Sequence, residues 1–294
     1  MAPLAQLKPD DLRLAETKPS LIAVSPVVSI QSALNLMKAN KITSLPVFSH
    51  DSTQIVSIIN LFDILLYLVG GSDTVNKDTF KLDDPVEYVL DLDSDRESYW
   101  MHKTDSQDDL HATLRAFASG VHRSLVVDYS PQKKGPWLLS QTDIIRHIRA
   151  HPESVAPLDI RTTVGSLGFD KKPPLVSVLA SQSALNGYRL LAQKNLGGVP
   201  IVDEQGDLLG DLCLEDLPGA DLEVAEKLTL PCLEYTTCRP TGGQLPTATP
   251  DTLLVDVLDI MLNEDTHRVW ITKDNASKKV IGVVTMSDII GLLL

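Results

Sequence analysis

A short polar motif occurs four times along the chain and ends each time in an aspartate. It consists of one small polar or sulfur-containing residue, two variable residues and Asp, at Asn60–Asp63, Ser140–Asp143, Cys213–Asp216 and Thr285–Asp288. A single copy is typical of a helix start, since a side-chain oxygen caps the first turn and an acid gains from the helix dipole. Across the four copies the first residue changes while the acid stays Asp. A short carboxylate at a fixed place can accept hydrogen bonds from paired ligand hydroxyls, as on a ribose.

A second motif, His-Arg, occurs twice, each time directly before an apolar run. His122–Arg123 precedes one run and His267–Arg268 another, while the equivalent positions of the other two copies hold Thr43–Ser44 and Gly197–Gly198. One such pair alone would be read as exposed basic residues paired with acids. Two pairs at equivalent positions predict a shared role, because His and Arg together supply several donors to one phosphate, the Arg in bidentate fashion.

Both motifs belong to a repeating unit. The sequence Gln-Ser-Ala-Leu-Asn occurs at 31–35 and again at 182–186, so the two halves are duplicates, and each half divides again. Every copy predicts an α/β unit with the order strand–helix–strand–strand–helix, which is too small to bury its own apolar face and must pair with another copy. The predicted copies span 12–70, 98–151, 160–222 and 230–294, in paired modules of 1–158 and 159–294. Pro and Gly between 151 and 174 predict the boundary between halves.

Composition narrows the functional class. The chain has 294 residues, a net charge of −13 and three cysteines without a C-x-x-C pair. The charge argues against binding to nucleic acid or anionic membranes, and the cysteines fit a reducing compartment. Neither a secretory signal nor an apolar run of membrane-spanning length is found. We therefore expect an acidic intracellular protein in the cytoplasm, with the nucleus as the alternative.

Motifs for catalysis or metal binding are not found in the sequence. The run 91–96 begins like a calcium loop, but Arg96 occupies the glycine position. His147 and His151 stand four residues apart without an evident third ligand, which favours a solvated helix end over zinc. Neither a P-loop nor a G-x-S-x-G motif occurs. We predict no catalytic residue, no metal and no cofactor.

The repeating unit resembles the cystathionine-β-synthase (CBS) domain, two of which form a Bateman module. Four copies, with His-Arg in copies two and four, resemble the gamma regulatory subunits of AMP-activated and sucrose-nonfermenting protein kinases, including those of plants. The resemblance implies a disk of two Bateman modules that binds AMP, ADP or ATP, with the aspartates at the ribose and the His-Arg pairs at the phosphates. The predicted nucleotide-binding residues are Asp63, Ser140, Asp143, Asp216, Thr285, Asp288, His122, Arg123, His267, Arg268 and Thr249.

The resemblance also implies partners, which are the catalytic and scaffold subunits of a kinase; a homodimer is the other assembly considered. Copy three departs most from the family pattern, because Cys213 replaces the hydroxyl and Pro218 interrupts the following helix. Thr43 stands where the family has an arginine. Two alternatives stay open: a CBS scaffold that has lost nucleotide binding, and an accessory module for another enzyme or a transporter.

Overall fold

The fold is described from a computed structural model. The described residues are 2–69, 81–90, 100–131, 135–171, 175–217, 227–237 and 245–294. The calcium-like run 91–96 and Pro218 lie outside them. In these ranges no helix combines the length and the apolar character that a membrane span requires.

Repeat 1 follows a short helix, α1 (Leu14–Thr17), and begins at Val24, which forms a parallel bridge with Val47. Its first long helix starts after Ser29, whose hydroxyl accepts a hydrogen bond from the backbone of the first turn, and ends where Lys41 adopts the left-handed conformation. The elements are α2 (Ile30–Asn40), β1 (Ser44–Phe48), β2 (Ile55–Asn60) and α3 (Leu61–Val69).

Repeat 2 shows all five predicted elements in the predicted order. The first strand pairs in parallel with the second, and the second pairs antiparallel with the third. A parallel pair needs a crossover, which the intervening helix provides. The elements are β3 (Lys103–Asp105), α4 (His111–Ala118), β4 (Arg123–Val127), β5 (Trp137–Ser140) and α5 (Gln141–Ala150).

Repeats 3 and 4 have the same pairing of strands. They differ directly after the third strand, where repeat 4 forms a helix and repeat 3 forms the 3-10 turn Leu214–Asp216. Repeat 3 contains β6 (Val178–Leu179), α6 (Ala184–Lys194), β7 (Gly198–Val202), β8 (Leu208–Cys213) and α7 (Cys232–Thr237). Repeat 4 contains β9 (Thr247–Ala248), α8 (Leu254–Asn263), β10 (Arg268–Thr272), β11 (Val280–Thr285) and α9 (Met286–Gly291). These four units confirm the predicted fold class.

The repeats are grouped into two compact units that alternate along the chain. The even unit holds repeats 2 and 4, and the odd unit holds repeats 1 and 3. Their segments are Met1–Leu21, His102–Leu175 and Gln244–Leu294 for the even unit, and Ile22–Met101 and Val176–Gly243 for the odd unit. Consecutive repeats therefore fall into different units. The predicted modules, 1–158 and 159–294, each join two consecutive repeats. This pairing stays a prediction.

The apolar faces of the helices explain this grouping. In the even unit α5 packs against α8 and α9, and α9 also packs against α4, in one continuous core of Leu, Ile and Val side chains. In the odd unit α3 packs against α6, and Leu65 of α3 is fully buried among repeat 3 residues. Each helix thus buries an apolar face that its own repeat leaves uncovered.

The described part of the segment 151–174, where Pro and Gly predict the boundary between halves, contributes apolar side chains to a core, and the boundary stays a prediction. Val155, Ile160, Val164 and Phe169 are all at most 6% exposed and belong to the core of the even unit. The change from one unit to the other comes after Leu175. Pro and Gly mark the turns of this segment, and the four apolar side chains between the turns pack into the core.

Candidate functional site

One end of each β-hairpin joins two of the features found in the sequence. These are the Asp motif and the residue pair at the start of the second strand of the same repeat. In each repeat the second residue of the motif donates its backbone N–H to the carbonyl of the first residue of that pair. The four bonds are Leu61 to Thr43 (3.1 Å), Gln141 to His122 (3.1 Å), Leu214 to Gly197 (3.0 Å) and Met286 to His267 (3.2 Å). The register of the strands places the second residue of the pair opposite the first residue of the motif. These partners are Ser44 and Asn60, Arg123 and Ser140, Gly198 and Cys213, and Arg268 and Thr285.

The hairpin end thus brings together residues that are distant in sequence. In repeats 2 and 4 the residues joined there are an Asp, a Ser or Thr, a His and an Arg, which are the residue types that the sequence singled out. In repeats 1 and 3 the same position carries Thr43–Ser44 and Gly197–Gly198 instead. The described geometry is the same in all four repeats, while the chemistry is richest in the even unit.

Repeat 4 shows the motif in its simplest form. Asp288 Oδ2 accepts hydrogen bonds from the backbone N–H of Thr285 at 2.9 Å and from its hydroxyl at 2.7 Å. The hydroxyl also lies 3.2 Å from the N–H of Asp288, where it caps α9. This reciprocal arrangement is a capping box, so the helix-start interpretation holds for this motif.

Repeat 2 has the same capping box and two additional cations. Asp143 Oδ2 accepts from the N–H of Ser140 at 2.8 Å and from its hydroxyl at 2.7 Å. Lys18 Nζ donates to the same oxygen at 2.5 Å, and Arg146 Nη1 lies 3.5 Å from Oδ1. The Asp143 side chain is only 2% exposed. The cations and the Ser140 donors together offset the cost of burying this carboxylate.

Repeat 1 replaces the hydroxyl by an amide. Asn60 Oδ1 accepts from the N–H groups of Phe62 and Asp63 at 2.8 and 3.1 Å, and Asp63 Oδ2 accepts from the N–H of Asn60 at 2.9 Å. Asp63 is 2% exposed. The amide therefore caps α3 as a hydroxyl would, and the carboxylate keeps its place.

Repeat 3 holds its aspartate from the main chain and from a tyrosine pair. Asp216 Oδ2 accepts from the N–H of Cys213 at 2.8 Å, and the Tyr235 hydroxyl donates to the Asp216 carbonyl at 2.6 Å. The hydroxyls of Tyr235 and Tyr188 lie 3.3 Å apart. Burial, and then the proximity of Tyr235, raise the pKa of Tyr188 well above its ordinary value. The thiol of Cys213 lies 3.2 Å from Asp211 Oδ2, so a second acid stands beside this motif.

The remaining predicted residues are accessible to different degrees. His122 is exposed, whereas Arg123, His267 and Arg268 are half-buried. Thr249 follows β9 and is hydrogen-bonded to Thr252, with its N–H 2.9 Å from the Thr252 hydroxyl. The described hydrogen bonds do not join Thr249 to another predicted binding residue.

Lys18 is the site residue that sequence reasoning missed. It lies before Val24, where the structure begins repeat 1, although predicted copy 1 includes it, and it meets Asp143 from 125 residues away. No periodicity or motif marks it, because its partner is set by the path of the chain before repeat 1.

His147 and His151 lie at the end of α5. Their rings stand 4.8 Å apart between centroids, and burial, followed by the neighbouring His151, lowers the pKa of His147. Among the described residues no group of three or more His, Cys, Asp or Glu is placed to hold a metal ion.

Comparison with known proteins shows what this arrangement is similar to. The family model described as CBS domain matches residues 14–70, 164–221 and 242–294, more than half of the chain. Repeat 2 lies between these matches, although it has the complete unit and the complete motif pair.

The chain is 24% identical over 93% of its length to a 5'-AMP-activated protein kinase subunit gamma of Dictyostelium discoideum, but it spans only 49% of that protein. It is 22% identical over 99% of its length to an Arabidopsis thaliana SNF1-related protein kinase regulatory subunit gamma-like protein, and spans 95% of it.

A crystal structure of a Methanocaldococcus jannaschii protein, described as a candidate archaeal homologue of g-AMPK, matches with a TM-score of 0.74. The match covers 98% of this chain and 100% of that one at 18% sequence identity. At this level of identity the likeness shows a common fold for the two chains.

Proposed function

The chain belongs to the CBS domain family, and from this premise we propose that it is a non-catalytic regulatory subunit that binds adenosine nucleotides and signals energy state to a protein kinase. The observation that carries the proposal is the hairpin end of repeats 2 and 4. There Arg123 is the register partner of Ser140 and Arg268 that of Thr285, so each His-Arg pair shares a hairpin end with the Asp motif of its repeat.

The combination suits a nucleoside phosphate. A carboxylate accepts hydrogen bonds from the two ribose hydroxyls, while Arg and His donate to phosphate oxygens. AMP, ADP and ATP share the nucleoside and differ in their phosphates. Discrimination among them would therefore rest on His122, Arg123, His267 and Arg268, and any difference in affinity would bias the protein between partner-binding states.

The names of the relatives support the kinase part of the proposal. Both the Dictyostelium and the Arabidopsis proteins are named as kinase gamma or gamma-like subunits. Catalytic and scaffold subunits of such a kinase are the partners we propose, in the cytoplasm. Because the chain spans about half of the Dictyostelium protein, functions of the rest of that protein are not carried over.

Calorimetric titration of the purified chain with AMP, ADP and ATP tests nucleotide binding. The informative variants are Arg268→Gln and Asp288→Asn. In Asp288→Asn the amide oxygen can still accept the hydrogen bonds from Thr285, so the capping box is kept. Losing a hydrogen bond to a charged group costs about 1.5–3 kcal/mol, so Arg268→Gln should weaken the phosphate-dependent part of binding by about 10- to 100-fold.

Matched controls keep this test specific. Asp256→Asn removes an exposed carboxylate from α8 of the same repeat, and Arg115→Gln removes an exposed guanidinium from α4. Both should bind nucleotide as the wild type does. Absence of any saturable heat with all three nucleotides would reject the sensor and leave a scaffold on a CBS fold.

Co-purification tests the partner. The proposal is supported if kinase catalytic and scaffold subunits co-purify with the tagged chain and if AMP or ATP changes their affinity for it. Partner binding that is unchanged by nucleotide, and unchanged in Arg268→Gln, would favour the scaffold. Recovery of a transporter or metabolic enzyme without kinase subunits would favour the accessory module.

A further inference from the structure

We infer that repeat 2 is closed to nucleotide by the chain's own Lys18, which takes the position on Asp143 that a ribose would need. This inference rests on the proposed function and narrows it, since it says which motif is withheld from the ligand. It is carried by the contacts of one ammonium group.

The Lys18 ammonium is held by two acceptors of repeat 2. Nζ lies 2.5 Å from Asp143 Oδ2 and 2.8 Å from the carbonyl oxygen of Leu138. With the two bonds from Ser140, three donors converge on Oδ2, and Arg146 faces Oδ1 at 3.5 Å. A carboxylate offers about four acceptor positions in all, so most of the capacity that a diol would use is already taken.

Exchange of Lys18 for a ribose is unfavourable. A hydroxyl is an uncharged donor, so replacing the Lys18 ammonium by it would lose the attraction between two opposite charges. It would also leave the Asp143 carboxylate, whose side chain is 2% exposed, without the cation nearest to it. Arg146 is the other cation within reach, and its longer contact and exposed side chain make it a poorer substitute.

The segment that carries Lys18 is fastened to repeat 2 before it reaches the site. The N–H of Leu110 donates to the carbonyl of Leu7 at 2.9 Å, and the N–H of Asp10 donates to the carbonyl of Ser106 at 3.3 Å. Helix α1 then packs against β5, and the N–H of Lys18 closes its last turn on Leu14 at 2.9 Å. The ammonium is thereby delivered at high effective concentration, so a dissolved ligand must compete with an intramolecular one.

The cap alone does not set repeat 2 apart. The bonds from Thr285 to Asp288 measure 2.9 and 2.7 Å, and those from Ser140 to Asp143 measure 2.8 and 2.7 Å. The two motifs are therefore built alike. We assign the difference in nucleotide access to Lys18.

The first arm of the test needs no nucleotide. Brief labelling with an amine-reactive reagent, read by mass spectrometry, compares Lys18 with Lys8 of the same segment, whose amine donates to the exposed Gln107 at 3.2 Å. Lys18 should react about tenfold more slowly, and Asp143→Asn should remove this protection. Equal labelling of Lys18 and Lys8 in the wild type would overturn the inference.

The second arm measures AMP stoichiometry by equilibrium dialysis. Lys18→Met keeps the length of the side chain without its charge and should bind one more AMP per chain than the wild type. Adding Asp143→Asn should abolish that site, and Lys8→Met should match the wild type. Equal, non-zero stoichiometry in the wild type and Lys18→Met would overturn the inference alone. No binding by any variant would overturn the proposed function together with it.

Discussion

A methyl group added at Gly282 should destabilise the protein, whereas the same group at Gly210 should not. The two glycines occupy equivalent places in duplicated hairpins, since Gly282 is the register partner of Ile271 and Gly210 that of Ile201. Neither has the positive φ that would strain an alanine. Sequence alone would therefore assign both substitutions the same effect.

The surroundings of the added carbon set the two sites apart. At Gly282 a Cβ would lie 2.4 Å from the carbonyl oxygen of Phe169, a backbone atom that cannot turn away. At Gly210 the nearest atom would be Leu233 Cδ1 at 3.5 Å, an ordinary contact. Overpacking costs typically about 1–3 kcal/mol, while Gly→Ala without strain stabilises by about 0.4–1 kcal/mol. We expect a net loss of about 1–2 kcal/mol for Gly282→Ala. For Gly210→Ala we expect a gain of about 0.4–1 kcal/mol.

Native-state hydrogen exchange read by mass spectrometry is the suitable assay, because two compact units need not unfold together. Exchange in peptides from β10 and β11 should accelerate by about 5- to 30-fold in Gly282→Ala. Peptides from β7 and β8 should exchange no faster in Gly210→Ala than in the wild type. Equal protection of β11 in Gly282→Ala and wild type would refute the close approach of Phe169.

Three further changes test the motifs and the core. Thr285→Ala removes the cap of α9 and should lower the free energy of unfolding by about 1 kcal/mol in urea titrations, whereas Thr285→Ser should not; equal losses would contradict the cap. Tyr188→Phe removes a buried hydroxyl 3.3 Å from that of Tyr235 and should cost about 0.5–1.5 kcal/mol by the same method, so an unchanged midpoint would speak against that bond. Burial lowers the pKa of His147 in the folded state below its ordinary 6.5, so the unfolded chain binds more protons and stability should fall as pH drops below 6.5. His147→Gln should flatten that fall in thermal unfolding, and an unchanged pH profile would rule His147 out as its source.

Much of the fold could be predicted because the duplication makes each copy a check on the others. Repeat 2 carries the complete unit and lies outside the family matches, yet its His122–Arg123 pair and its Ser140–Asp143 motif identified it through their likeness to repeat 4. The strands β6 and β9, of two residues each, are too short for a periodicity to reveal. The predicted order of the unit requires a strand before each first helix but does not fix its bounds.

The grouping of repeats could not be predicted in the same way. An apolar helix face indicates that a partner exists, but any of the other repeats offers a similar face. Leu65 of repeat 1 lies in the core of repeat 3, and nothing in the sequence around it distinguishes that partner from repeat 2. The contact of Lys18 with Asp143 is equally hidden, because it depends on the path of the segment before repeat 1.

The structure also explains why the first residue of the motif varies. In all four repeats the aspartate accepts its bond from the backbone N–H of that residue, at 2.8–2.9 Å. A backbone donor is the same in Asn, Ser, Cys and Thr, so the bond that holds the aspartate survives these replacements. The cap does not explain the absence of glutamate, which capping boxes accept at this position.

Asp288→Glu therefore separates the two roles of the carboxylate. Glutamate can still reach back to the N–H of Thr285, so the free energy of unfolding should change by less than about 0.5 kcal/mol. The extra methylene moves the oxygens away from a ribose, and AMP affinity should fall by about tenfold or more, as for one lost hydrogen bond to a charged group. Calorimetry and urea unfolding on the same variant measure both quantities. Wild-type affinity in a stable Asp288→Glu protein would mean that Asp288 caps α9 and does not contact the ligand.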